Sequence, residues 1–181
     1  MLAMKIILIY ISFLCYTANV YAQTYYYNTA KTFYESGYTY QCDMEPGNSL
    51  YLYNKENKFT YADMIDRYTN KKISFRDHKS SLENDNWTRS KCRSIINAAF
   101  SSAEKQRIKD EPILIYIYIH PDTGKVIEVK FWFTRNDPYA TIPVSVYRKI
   151  ETELKEKVWF VPTTEGKKYN YIRRAWMHRI E

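Results

Sequence analysis

Ile113-Leu114-Ile115-Tyr116-Ile117-Tyr118-Ile119 runs into His120-Pro121-Asp122-Thr123-Gly124-Lys125, and then into Val126-Ile127-Glu128-Val129-Lys130-Phe131-Trp132-Phe133-Thr134. The first seven residues are apolar on both faces at period two, which predicts a central β-strand. The next six are a hairpin turn, with Gly124 free to take positive φ. The last nine return as a strand. Ile127, Val129, Phe131 and Phe133 share one face, and Glu128, Lys130 and Trp132 share the other.

Working outward, Arg135 to Thr141 reads as a loop holding Pro138. A helix follows from near Ile142-Pro143, where proline suits the first turn. It places Val146, Tyr147, Ile150 and Leu154 on one side. Glu151, Glu153, Lys155, Glu156 and Lys157 read as its solvated charges. Val158-Trp159-Phe160-Val161-Pro162 comes next, then a turn at Thr163-Thr164-Glu165-Gly166-Lys167-Lys168, and Tyr169 to Ile180 reads as a final strand. Upstream, Trp87 to about Asp110 has helical period, with Cys92, Ile95, Ile96, Ala99, Phe100 and Ala103 on one face. Residues 62–86 are polar, with a helical turn expected at Ala62 to Tyr68. Residues 24–61 alternate tyrosines around the turn Met44-Glu45-Pro46-Gly47-Asn48-Ser49, which predicts a short hairpin or two strands.

The chain has 181 residues, a formal charge of +7, 45% hydrophobic residues, four glycines and 19 tyrosines. That length fits one domain, or two very small ones, and is enough to bury a real core. Mean hydropathy is −0.55, and a single long apolar run excludes a polytopic membrane protein. Lys5, the run Ile6 to Cys15 and the Val20-Tyr21-Ala22 site form a signal-peptide pattern, with cleavage expected after Ala22. The alternatives are an uncleaved anchor or a lipoprotein acylated at Cys15. Cleavage removes Lys5 and three tyrosines and leaves a charge of about +6. Export places the chain in the periplasm or outside the cell, under oxidising conditions. Cys42 and Cys92 both sit on core-facing positions. They are read either as one disulfide or as two buried thiols.

No chemistry stands out. His78, His120 and His178 have no recognisable nucleophile or metal partner, and no CxxC accompanies either cysteine. Walker, dinucleotide and GxSxG patterns are absent. The chain is therefore read as non-enzymatic, with no cofactor and no metal. The most suggestive segment is the last strand. Lys167, Lys168, Arg173, Arg174 and Arg179 lie among Tyr169, Tyr171 and Trp176. Tyr169, Tyr171, Arg173, Arg174 and Trp176 are the expected partner-binding residues. An edge strand protected by its charges is the structural alternative. Nucleic acid is disfavoured by export.

The order of elements resembles the carboxy-terminal domain of TonB-type proteins. The matching parts are Ile115–Ile119, Asp122-Thr123-Gly124-Lys125-Val126, the helix Val144–Lys157, Trp159-Phe160-Val161-Pro162 and Tyr171–Ile180. The resemblance covers about residues 108–181. The whole chain also resembles short exported proteins of Bacteroides-type bacteria, a family with no assigned activity. The resemblance implies a sheet used for protein contacts, sometimes by adding a partner strand to its edge. The chain departs from energy-transducing TonB in having a cleavable signal and no Pro-rich linker.

The expectation is an α+β fold, a three- or four-stranded antiparallel sheet packed by helices near 88–110 and 143–157. Residues 1–22 are the signal peptide. Residues 23–110 form a strand, loop and helix region, and residues 111–181 form the TonB-like module, all sharing one core. The expected function is a periplasmic or cell-surface module that contacts a protein or peptide of the cell envelope through a sheet edge. A glycan-binding or glycan-processing role for Tyr34, Tyr38, Tyr51 and Tyr53 is the alternative.

Overall fold

The computed structural model describes residues 24–35, 37–74, 81–84 and 86–181. The expected signal segment, with Cys15, and His78 lie outside the described residues. Six strands form one antiparallel sheet: β1 (Lys31–Glu35), β2 (Tyr38–Glu45), β3 (Ser49–Asn54), β4 (Pro112–Ile119), β5 (Val126–Thr134) and β6 (Ile172–Arg179). Their order is β1-β2-β3-β5-β4-β6, so β1 and β6 are the two edges. Among the described residues three α-helices accompany them: α1 (Asn86–Ala99), α2 (Ser102–Ile108) and α3 (Val144–Lys157).

The fold class is α+β as expected, but the sheet is larger. The tyrosine-rich region supplies three strands, and β3 pairs directly with β5 through Leu52 opposite Phe131. That join makes one sheet out of two halves of the chain. Residues 62–68 form no helix. They make short bridges instead, Ile65 with Lys72 and Asp66 with Tyr169. The helix expected over Trp87–Asp110 breaks at Phe100–Ser101. There Ser101 Oγ accepts from the Glu104 backbone N–H, and Glu104 Oε2 accepts from the Ser101 N–H. This reciprocal cap starts a new helix.

Alternation assigns the two sheet faces. Cys42, Leu52, Phe131, Ile115 and Trp176 stand in one row across five strands, and all are buried. Helix α3 covers this face. Its Tyr147 ring stacks 5.6 Å from Phe133 and lies 4.9 Å from Phe131. Helix α1 packs beside α3 and contributes Cys92, Ile95, Ile96 and Ala99 to the core. On the opposite face Gln41, Tyr53, Lys130, Tyr116 and Ala175 form the equivalent row. Residues 55–73 cross part of this second face. Tyr171 donates to the Ala62 carbonyl (2.6 Å), and Glu128 accepts from the backbone N–H groups of Lys58 and Phe59 (2.6 and 2.9 Å).

Candidate functional site

Strand β6 is bonded into the sheet on one side alone, by β4, with Ile115 opposite Trp176 and Ile117 opposite Arg174. Among the described residues, no backbone pairing continues the sheet beyond it. Its alternation sorts the expected binding residues. Arg173 is half-buried on the second face, its guanidinium 5.7 Å from the centre of the Tyr116 ring. Arg174 is half-buried on the helix face, its guanidinium near the ring centres of Phe160 (5.6 Å) and Trp176 (5.4 Å). Ala175, Met177 and Arg179 are exposed, Met177 to 69%.

Three of the five expected contact residues are buried. Tyr169, Tyr171 and Trp176 are 1%, 2% and 7% exposed and belong to the core. Tyr171 packs on Phe59 and Tyr118, and Trp176 underlies Arg174. The strand itself starts at Ile172, because Tyr169 and Asn170 are engaged with residues 63–66.

Beside β6 lies a cleft of about 190 Å³, lined by Arg89 and Arg93 of α1 and by Arg174, Ala175, Trp176 and Met177. Arg89 and Arg93 are four residues apart, so they project from neighbouring turns of one helix face. Among the described residues, none of the three guanidinium groups is ion-paired with a carboxylate. Sequence reading missed Arg89 and Arg93, because their proximity to Arg174 depends on α1 docking at the β6 edge. Their i, i+4 spacing beside the apolar face of α1 was the available signal.

A second unexpected cluster lies on the other face. Lys130 Nζ sits 4.3, 4.9 and 5.6 Å from the ring centres of Tyr51, Tyr116 and Tyr61, and donates to the Thr60 carbonyl (3.2 Å). Burial, with Arg173 nearby, pushes its ammonium down to about 8. Tyr53 and Tyr61 both donate to Asp43 (2.6 and 2.7 Å). Burial opposes ionisation of Asp43, but these hydrogen bonds, with one from Gln41, hold its carboxyl below the usual range.

Glu151 is the largest departure from the sequence reading. It is fully buried, not solvated. It accepts from the Tyr40 hydroxyl, from Arg148 (3.0 Å) and from Asn54 and Lys155 (3.5 Å each). This network joins α3 to β2 and β3. Cys42 and Cys92 are both buried and are not linked to each other. Burial pushes the Cys42 thiol up to about 12. His178 is buried with Nε2 donating to Asn97 (2.8 Å). Burial and then Arg93 hold its pKa below the ordinary imidazole value. His120 caps its own turn by accepting from the Asp122 and Thr123 N–H groups. Among the described residues, no group of three His, Cys, Asp or Glu side chains is placed to hold a metal ion. No helix among them is long and apolar enough to cross a membrane.

Comparison with known proteins places this arrangement in a family. A domain of unknown function, DUF5043, matches residues 23–176. The crystal structure of a DUF5043 family protein from Bacteroides uniformis ATCC 8492 is similar to this one at a TM-score of 0.83 and 39% identity. The match covers 87% of this chain and 89% of that one. No curated protein matches the chain. The chain belongs to the DUF5043 family.

Proposed function

We propose that the protein is an exported, non-enzymatic binding module that takes up an extended segment of a partner protein along β6. The observation that carries this reading is the position of β6. It is an eight-residue edge strand, bonded on one side, with exposed Ala175 and Met177 and a basic margin. An added strand gains main-chain hydrogen bonds along the edge, and alternate side chains give selectivity. The opposite edge, β1, has five residues and is the weaker template. The TonB-like run of strand, strand, helix and strand from residue 112 supports the same use of the sheet. A further charge at the exposed, uncharged middle of the strand, where Ala175 and Met177 lie, opposes pairing there. Extended peptides selected from a random library should therefore bind Met177→Lys at least about tenfold more weakly than wild type, and bind Tyr34→Lys on β1 unchanged. Equal weakening by both, or by neither, would overturn the assignment to β6.

A second reading, glycan binding, rests on a groove of about 550 Å³ at the β1–β2 turn, lined by Tyr34, Tyr38, Lys55 and Glu56 among others. Tyr34 is 80% exposed there. Tyr51 and Tyr53 lie outside this groove, engaged with Lys130 and Asp43. A glycan array probed with wild type and Tyr34→Ala distinguishes this role. Loss of a discrete glycan signal in the variant supports it, and no signal with either protein excludes it.

A further inference from the structure

The cleft between α1 and β6 has a property that strand addition does not require. Arg89, Arg93 and Arg174 line one small recess, and among the described residues no acidic side chain lines it with them. The chain carries 20 Asp and Glu residues, and other cations use them. Arg67 is paired with Asp122, Arg148 with Glu151 and Lys168 with Glu165. Three cations share this lining with no counter-charge among the described residues, and the half-buried position of Arg174 reduces solvent screening. Arg174 also has two aromatic neighbours, its guanidinium lying within cation–π distance of the Phe160 and Trp176 rings. A guanidinium restrained by such contacts loses less freedom when its N–H donors engage a ligand. The recess, about 190 Å³, is several times the ~30 Å³ that a water molecule occupies in the liquid.

We propose that this cleft is a binding site for a tetrahedral oxyanion, a sulfate or phosphate group, gripped by Arg89, Arg93 and Arg174 in the recess that Trp176 also lines. Guanidinium forks match the edges of such groups with paired hydrogen bonds. The group arrives either as the free ion or as an ester on a larger molecule. This inference stands apart from strand addition at β6, because it uses side chains and not the strand's main chain.

The test is isothermal titration of the full chain with sodium sulfate and sodium phosphate at low ionic strength, with sodium chloride at matched ionic strength as control. O-sulfotyrosine and O-phosphotyrosine serve as ester probes. Thermal melts run alongside, because sulfate stabilises most proteins non-specifically and wild type must be compared with variants. Arg89→Gln/Arg93→Gln changes two exposed helix positions and leaves the core intact. Arg174→Gln removes the third guanidinium. Wild type should bind at least one oxyanion in preference to chloride, and each variant should lose at least about tenfold in affinity. Without added anion the double variant should melt at or above the wild-type temperature, because repulsion is relieved. Tighter binding of the ester probes identifies an esterified source, and equal binding identifies the free ion. No preference over chloride, or a preference that survives in both variants, overturns the proposal. Strand addition is read separately, by peptide binding to Met177→Lys.

Discussion

Gly124→Ala is expected to damage the protein far more than Gly47→Ala, although both glycines have positive φ, +70° and +81°. An L-residue in this region costs roughly 1–2 kcal/mol at either site. At Gly47 nothing lies within 4 Å of an added Cβ, so the cost ends there. At Gly124 the added Cβ would fall 1.8 Å from the Phe160 carbonyl oxygen and 2.9 Å from its carbon. Backbone must therefore move by more than about an ångström to restore ordinary contact. The displaced backbone is bonded, since the Phe160 N–H donates to the Gly124 carbonyl (2.8 Å) and Lys125 bridges Trp159. Losing that pairing adds about 1 kcal/mol for each bond. Disturbing Phe160, a buried core side chain, adds a further ~1 kcal/mol or more. The total is about 3–5 kcal/mol for Gly124→Ala against about 1–2 for Gly47→Ala. Urea unfolding of both variants, followed by far-ultraviolet circular dichroism, measures the difference. Destabilisation of the two within about 1 kcal/mol of each other would refute the close approach of the β4–β5 turn to Phe160. Phe160 also carries Arg174, so the same variant should weaken oxyanion binding in the adjoining cleft.

Other perturbations follow from the buried polar groups. Glu151→Ala leaves the Tyr40 hydroxyl and Arg148 without their acceptor and should cost about 3–5 kcal/mol in urea unfolding; Glu151→Gln should cost less, and a loss under about 1 kcal/mol for the alanine variant would contradict the network. Lys130 is held near 8 in the folded chain, below the ~10.4 of an unfolded lysine. The unfolded state therefore binds more protons between these values, and wild type should gain stability relative to Lys130→Met as pH rises from 8 to 10. A difference that is flat with pH, or that reverses, would contradict the buried cage. Both cysteines should alkylate without reductant after denaturation, as seen by intact mass. Burial of the two thiols, with Cys42 held near 12, should leave the native protein resistant at pH 8. Rapid native labelling would place a thiol at the surface.

Local pattern carried much of the architecture. The period-two run at Ile113–Ile119 and the alternation of Tyr40 and Cys42 against Gln41 and Asp43 describe the faces that the structure shows. The pairing of β3 with β5 is not local. Leu52 and Phe131 are far apart in sequence, and nothing in either strand names its neighbour. The helix break at Ser101 was present as an S-x-x-E cap, but continuous apolar spacing across Phe100 and Ala103 obscured it. Glu151 misled because a charged residue beside Glu153 and Lys155 looks solvated. Its burial comes from Tyr40 and Asn54 reaching across from β2 and β3. The arginine-lined cleft was half legible for a similar reason. Arg174 was found in its strand, whereas Arg89 and Arg93 become its neighbours through tertiary packing.

The claim that β6 is the working edge is tested most directly by residue-resolved amide hydrogen exchange with and without a selected extended peptide. The amides of residues 172–179 that point away from β4 should exchange rapidly in the unbound protein and become protected on binding, while the β1 edge is unchanged. Protection confined to β1, or to the groove at Tyr34 and Tyr38, with β6 unaffected, would contradict the account.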